Sequence, residues 1–157
     1  MKKINKILGL LMGLILVVSL ASCKAKATDD QSTFYNYAQI NKEYKQSVDS
    51  LEWPEGVRPP ADIIEDKDTS FQKGWGNTVA SYYWETAWQK EWLDSYKTNK
   101  ERAKKALDEL DKASSMAYMS KQKCDDATRA YLKKIIDQAK NNDPSGFEEN
   151  IKLNSPW

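Results

Sequence analysis

Residues 74–96 read GWGNTVASYYWETAWQKEWLDSY, and this stretch decides the fold. Trp84, Trp88 and Trp92 recur at intervals of four, so an α-helix places them in one stripe, which Tyr96 extends. The other side carries Val79, Tyr82 and Tyr83. A helix that is apolar nearly all round is normally buried. We therefore predict that this helix lies at the centre of a bundle.

Apolar residues at helical spacing continue on both sides of this segment, and no stretch shows the period of two that is typical of a strand. Polar residues that can cap a helix indicate where each one begins. The first predicted helix runs from about 33 to 51, and the second from a cap at Asn77 or Thr78 to about Lys97. The third begins at a Thr98–Glu101 capping box, and the fourth runs from between Ser120 and Asp125 to Asn141 or Asn142. A short last helix begins at Asp143 and Pro144. The predicted fold class is all-α, a bundle-like single domain of four to five helices over 33–157.

A long loop, 53–73, separates the first two predicted helices. It contains Trp53-Pro54-Glu55-Gly56 and Arg58-Pro59-Pro60. The prolines remove backbone donors and restrict the residues before them, so no helix continues through this stretch. A loop of this length in a compact domain is often functional. We expect Ile63 and Ile64 to attach it to the core.

The N-terminal segment has the architecture of a secretion signal. Lys2, Lys3 and Lys6 precede an apolar run over 7–18. This run is shorter than the roughly 20 residues that a membrane-spanning helix needs, which favours cleavage. The stretch that follows, Leu20-Ala21-Ser22-Cys23, resembles the lipobox of bacterial lipoproteins: a branched apolar residue, two small residues and then cysteine.

The resemblance implies that Cys23 receives a diacylglyceryl group on its sulfur and becomes the first residue after cleavage. Residues 1–22 are then a lipoprotein signal peptide and 23–32 a flexible tether. The implied location is the extracytoplasmic face of the cell membrane, with the membrane as a partner through the palmitate-bearing lipid. Because a lipidated Cys23 cannot form a disulfide, we expect Cys124 to be an unpaired, buried thiol, with an intermolecular disulfide as the alternative.

A second resemblance covers much of the mature chain. Gly74-x-Gly76, Tyr83-Trp84, Trp88 and Ala106-Leu107-x-x-Leu110 follow a Trp-Pro-x-Gly turn at 53–56. This spacing resembles that of small uncharacterised secreted helical proteins of bacteria. The resemblance implies a helical fold and carries no function.

Composition excludes several classes of chemistry. The chain has 24 basic and 23 acidic side chains but no histidine, so Ser-His and Cys-His nucleophile pairs and His-ligated metal sites are excluded. Residues 1–22 hold three of the basic side chains and none of the acidic ones, which leaves 23–157 with a formal charge of −2. That charge gives no electrostatic footprint for nucleic acid. The aspartates between 108 and 126 lack the spacing of a calcium loop, so no metal and no cofactor is predicted.

The candidate binding residues are three tryptophans and one glutamate. Indole rings stack on sugars and anchor interfaces, and Trp53 and Trp75 flank the long loop, where binding residues are common. For Trp88, as for Trp84 and Trp92, core packing is the favoured alternative. Glu85 lies among tryptophans, an environment that raises the pKa of a carboxyl group, and glycosidic cleavage requires such an acid. A solvated or salt-bridged carboxylate is the alternative for Glu85.

We expect a non-enzymatic, lipid-anchored protein of the cell envelope that binds another macromolecule through the loop between Trp53 and Trp75. One alternative is a carbohydrate-binding or peptidoglycan-binding protein with weak carboxylate-based hydrolase activity. Another is an immunity or transporter-accessory lipoprotein. The expected partner is therefore an envelope protein or a glycan.

Replacing Cys23 by Ala is expected to abolish lipidation, because the lipobox chemistry requires the cysteine sulfur. Incorporation of radiolabelled palmitate in growing cells measures this directly. Labelling that persists in the Cys23→Ala variant would contradict the prediction, and Cys124→Ala is the matched control that should keep the label.

Overall fold

Five α-helices make up most of the chain that the computed structural model describes, residues 33–157. In chain order the elements are β1 (Phe34–Tyr35), α1 (Tyr37–Ser50), β2 (Phe71–Gln72), α2 (Trp75–Ser95), α3 (Lys100–Leu110), two 3-10 turns (Asp111–Ser115 and Ala117–Met119), α4 (Asp126–Lys140) and α5 (Ser145–Asn154). The prediction of an all-α, bundle-like fold is confirmed.

The central element is α2, as its composition predicts. It contacts α1, α3, α5 and the second 3-10 turn. Thirteen of its 21 residues are buried, and the rings of Trp84, Trp88 and Trp92 are almost completely enclosed. Burying a large apolar side chain stabilises a fold by roughly 1.5–3 kcal/mol relative to leaving it exposed, so this stripe is a major part of the core.

The N-terminus of α2 is capped by a side chain from another helix. Its N-cap residue, Gly74, has φ +94° and no side chain to offer. The backbone N–H groups of Gly74 and Gly76 donate instead to Oε2 of Glu43 in α1, at 3.0 and 3.2 Å. A carboxylate at this end also stabilises the helix dipole. The predicted cap at Asn77 or Thr78 is therefore wrong, because α1 satisfies these donors and α2 begins earlier.

Gly76 allows α1 and α2 to cross at close range. A Cβ atom at this position would lie 2.6 Å from the carbonyl oxygen of Ile40 and 2.7 Å from the backbone nitrogen of Tyr44. Both atoms belong to the backbone of α1, which cannot turn aside as a side chain does. The crossing therefore requires glycine.

Local capping sets where α1 and α3 begin. Asn36 and Gln39 form a capping box, so α1 begins at Tyr37, later than predicted. For α3 the prediction of a Thr98 cap is wrong by one residue, since Oδ1 of Asn99 accepts from the backbone N–H of Arg102 at 3.1 Å.

The last two helices differ in how closely they follow the prediction. Asp125 caps α4 within the predicted range, and its Oδ1 accepts from the backbone N–H of Thr128 at 2.7 Å. For α5 the predicted cap at Asp143 is wrong by one residue, since Pro144 is the N-cap and offers no side-chain hydrogen bond. Oδ1 of Asp143 accepts from the backbone N–H of Ser145 at 3.0 Å, just before the helix.

A short antiparallel strand pair differs from the expectation that the chain has no strand. Phe34 is opposite Gln72, and Tyr35 is opposite Phe71. Each strand has only two residues, so neither is long enough to show an alternating pattern in the sequence.

Side chains of α1 hold the loop over 51–70 in place. Each contact satisfies a backbone group that a loop without secondary structure would otherwise leave to solvent. The contacts are Tyr37 Oη donating to the Ile63 carbonyl at 3.0 Å, Tyr44 Oη donating to the Pro60 carbonyl at 2.9 Å, and the Ile63 N–H donating to Asn41 Oδ1 at 2.9 Å.

Only one of the two isoleucines attaches this loop to the core. Ile63 is buried, as expected, but the expectation for Ile64 is wrong because its side chain is 73% exposed. Hydrogen bonds between the Ile63 backbone and the side chains of Asn41 and Tyr37 hold this residue against α1.

The predicted signal peptide over 1–22, the tether over 23–32 and the lipidated Cys23 lie outside the described residues. Within 33–157, no helix is both long and apolar enough to cross a membrane.

Gly76→Ala is expected to destabilise the protein by about 2 kcal/mol, because the added methyl group collides with the backbone of α1. The free energy of unfolding, from the midpoint of a urea titration, measures the loss.

Gly56→Ala is the matched control. Gly56 has φ +74° and no heavy atom within 4 Å of the added methyl group, so its cost of about 1 kcal/mol arises from backbone conformation alone. Equal midpoints for Gly76→Ala and the wild type would contradict the close crossing.

Candidate functional site: the Glu85 cleft

Two of the four candidate binding residues lie in the core. Trp88 is 2% exposed, and its Nε1 donates to the carbonyl of Glu52 at 3.0 Å. Trp53 is 8% exposed, and its Nε1 donates to the carbonyl of Val48 at 2.9 Å. Because both rings are enclosed and both N–H groups are bonded to backbone, neither tryptophan offers a surface to a ligand. Their interpretation as binding residues is replaced by core packing.

Trp75 is partly exposed at the start of α2, and its Nε1 donates to Oε1 of Glu65 at 2.7 Å. Glu85 lies ten residues further along the same helix, which corresponds to about 15 Å along the axis. The structure therefore does not bring these two candidates together.

Glu85 is a buried carboxyl group with three hydrogen-bond donors around it. Tyr118 Oη donates to its Oε2 at 2.7 Å, and Gln89 Nε2 donates to its Oε1 at 3.0 Å. Nδ2 of Asn150 lies 3.5 Å from the same Oε1. The donors come from the second 3-10 turn, α2 and α5, so this carboxyl group connects three elements.

A chain of amide groups continues from the carboxyl group towards solvent. Asn150 Nδ2 donates to Oε1 of Gln89 at 2.9 Å, and Asn154 Nδ2 donates to Oδ1 of Asn150 at 2.9 Å. Gln89 is fully buried, whereas Asn154 is exposed. The polar network therefore extends from the core to the surface.

This network forms part of a cleft of about 600 Å³, which we call the Glu85 cleft. Ligand pockets in proteins commonly measure roughly 300–1,000 Å³. Its walls come from α2, the second 3-10 turn, α4 and α5. The lining residues are Tyr82, Glu85, Thr86, Met119, Ala127, Thr128, Tyr131, Leu132, Asn150 and Asn154.

Two tyrosines supply the aromatic surface of the cleft. Tyr82 is about half exposed and meets the ring of Tyr118 edge to face, with 5.9 Å between ring centroids. Tyr131 is half-buried on the α4 side. Such rings can stack on the apolar face of a ligand while their hydroxyl groups form hydrogen bonds.

Burial raises the pKa of Glu85 above its ordinary value, although the hydrogen bonds from Tyr118, Gln89 and Asn150 partly oppose the rise. Burial also raises the pKa of Tyr118, and the nearby Glu85 carboxyl adds to that effect. Tyr118 therefore keeps its proton at neutral pH and acts as a donor to Glu85.

The chemistry of the lining favours an uncharged polar ligand. No lysine or arginine lines the cleft as the structure describes it, so an anion would find no counter-charge. The one carboxyl group in the lining is already engaged by three donors, so a cation would find it only partly available. Hydroxyl and amide groups, by contrast, can bond to Asn154, Thr128 and the tyrosine hydroxyl groups.

A second cavity of about 440 Å³ lies between α4 and the first 3-10 turn. Leu110, Leu132 and Ile136 give it an apolar floor. Lys133 and Lys140 at its rim are paired with Asp137 and Asp111, at 2.5 and 2.7 Å. It contains no buried polar network like that of the Glu85 cleft.

Within 33–157, no cluster of three or more acidic or cysteine side chains is arranged to hold a metal ion. Cys124 is partly rather than fully buried, and its Sγ lies 3.5 Å from Sδ of Met119. This position agrees only in part with the expectation of a buried thiol.

No family model, curated protein or solved structure matches this chain. The residues of the cleft are therefore identified from geometry alone. Sequence reading selected Glu85 but missed Tyr118, Asn150 and Asn154. The spacing of Asn150 and Asn154 by four residues does place both amides on one face of α5, and this is the local signal that could have indicated them.

Glu85→Gln is expected to raise stability at neutral pH and to flatten its pH dependence. In the folded protein the pKa of the wild-type Glu85 carboxyl group is raised above the unfolded value of about 4.3. The contribution of this group to the free energy of unfolding is therefore fully present below the unfolded pKa and is lost as the pH rises through the folded pKa. Urea titrations between pH 4 and 8 measure this.

Glu52→Gln is the control, because Glu52 contributes a pH dependence of stability that has the opposite sign. The Lys105 ammonium lowers the pKa of Glu52, so that stabilisation is present above the unfolded pKa and is lost as the pH falls. A Glu85→Gln variant that follows the wild-type pH profile would contradict the assignment of Glu85 as a buried, destabilised carboxylate.

Proposed function

We propose that this protein is a lipid-anchored binding protein at the extracytoplasmic face of the cell membrane, and that its Glu85 cleft binds glycan of the cell envelope without catalysing a reaction. The observation that carries the proposal is the cleft itself, a cavity with a buried carboxyl group, a row of amides and two tyrosines.

The proposed anchor is supported by sequence. Leu20-Ala21-Ser22-Cys23 follows a positively charged and then an apolar segment, in the order that lipoprotein signals have. Two or more acyl chains bind a membrane far more stably than one, at about 0.8 kcal/mol per buried methylene. A protein attached in this way is held beside the polymers of the envelope.

The proposed ligand class follows from the functional groups in the cleft. A polysaccharide presents hydroxyl and amide groups along the edges of its rings and C–H groups on their faces. Asn154 and Thr128 can bond to the former, and the rings of Tyr82 and Tyr131 can stack on the latter. An uncharged polymer segment also agrees with a lining that has no basic residue among those described.

Binding is favoured over hydrolysis by the number of carboxyl groups. Most glycosidases use two, separated by about 5–9.5 Å. Among the described residues that line the cleft, Glu85 is the single carboxylic acid. A saccharide bound there would lack the second group that acts as nucleophile or base.

The test is calorimetric titration of the purified full chain, in detergent, with soluble oligomers of N-acetylglucosamine, which are uncharged and carry both hydroxyl and amide groups. We expect binding that weakens about tenfold in Tyr82→Ala and in Asn154→Ala, since each variant loses roughly 1.4 kcal/mol of contact. The matched control is Leu153→Ala, because Leu153 is next to Asn154 and 68% exposed but does not line the cleft.

Two results would contradict the proposal. One is the absence of heat and of a fluorescence change with any envelope glycan. The other is binding that Tyr82→Ala and Asn154→Ala leave at the wild-type affinity. Release of reducing sugar that is lost in Glu85→Gln would instead support the hydrolase alternative.

A further inference from the structure

Three large apolar side chains are exposed near the point where the described chain begins. Phe34 is 62% exposed, Ile64 73% and Trp75 39%. We call these three residues the Phe34 face. Isolated exposed apolar residues are ordinary, but a group of large ones at one place indicates an interaction surface.

Backbone pairing and one side-chain bond place these residues at the same end of the domain. Phe34 is opposite Gln72 in the strand pair, and Trp75 follows Gln72 by three residues. The indole of Trp75 donates to Oε1 of Glu65, the neighbour of Ile64. The strand pair and this bond therefore hold β1, the loop and the start of α2 together.

Charged residues around the Phe34 face include no excess of basic side chains. Lys67 and Lys73 lie over aromatic rings, with 5.5 and 5.8 Å from Nζ to the ring centroid, and Lys123 donates to the carbonyl of Gly74 at 3.0 Å. The acidic residues of the same region are Glu43, Glu65, Asp66 and Asp68. Contact with this face therefore depends on apolar groups rather than on positive charge.

The occupant is indicated by the chain that precedes the face. Ten residues lie between Cys23 and Phe34, so a fully extended chain of eleven steps spans at most about 40 Å. A lipid on Cys23 keeps Phe34 within that distance of the bilayer. Indole rings favour the headgroup region of a membrane, and lysines beside aromatic rings can extend their amines to water there.

We propose that the Phe34 face lies against the lipid bilayer, with the Trp75 indole at the level of the headgroups. This inference rests on the lipid anchor of the proposed function. It is independent of the ligand in the Glu85 cleft.

The test places the acylated full chain in phosphatidylcholine vesicles whose acyl chains carry bromine, which quenches nearby indole emission. We expect a quenched fraction in the wild type that disappears in Trp75→Phe. The matched control is Trp157→Phe, which removes an indole that is 48% exposed and contacts Tyr83 but does not belong to the face, and which should keep the quenching.

A second variant, Ile64→Ser, tests the face while keeping its indole. Its side chain is 73% exposed, so we expect an unchanged urea midpoint and weaker Trp75 quenching. Replacing half of the lipid by phosphatidylglycerol should not strengthen wild-type quenching, because the region has no excess of basic residues.

If Cys23 carries acyl chains but brominated lipid does not quench Trp75 emission, this inference is overturned and the proposed anchor is not. Mass spectrometry that finds Cys23 unmodified overturns the anchor and, with it, the inference. Quenching that appears only with phosphatidylglycerol also overturns it, since the contact would then be electrostatic.

Discussion

The hydrogen bonds to the Glu85 carboxyl group connect the core of this protein to its surface. Burying a charged or polar group without a partner costs several kcal/mol, so a carboxyl group in the buried part of α2 needs hydrogen-bond donors from its surroundings. Tyr118 and Asn150 supply partners from two other elements, which fixes the second 3-10 turn and α5 against α2. The same requirement shapes the cleft, since Asn154 extends the polar row to solvent.

The two ends of α2 are fixed by different means. At its start, the Glu43 carboxylate accepts two backbone N–H groups, and Gly76 admits the backbone of α1. Near its end, contacts between aromatic rings fix the helix: Trp92 stacks on Tyr96 and packs edge to face with Phe147. Along this one helix, Trp75 of the proposed membrane contact lies about 10 Å from Tyr82 and about 15 Å from Glu85 of the proposed glycan site.

Sequence alone predicted what depends on neighbouring residues. The spacing of apolar residues located α2, α3 and α4, and the predicted range for the start of α4, between Ser120 and Asp125, includes the Asp125 cap. The Asn36 and Gln39 capping box was equally local and was overlooked. Contacts between distant residues could not be read in this way: the Glu43 cap and the burial of Trp53 depend on tertiary packing. The cleft is the clearest case, because its residues come from four separate elements.

The loop over 51–70 has a consequence for chain entropy. It is the longest connection among the described elements, so closing it to bring α1 onto α2 costs more conformational entropy than the short connection between α2 and α3. Side chains of both helices hold it: Tyr37, Asn41 and Tyr44 from α1, and Trp75 and Trp88 from α2. Separation of α1 from α2 therefore breaks contacts of the loop as well, so local unfolding is expected to involve the loop and the two helices together.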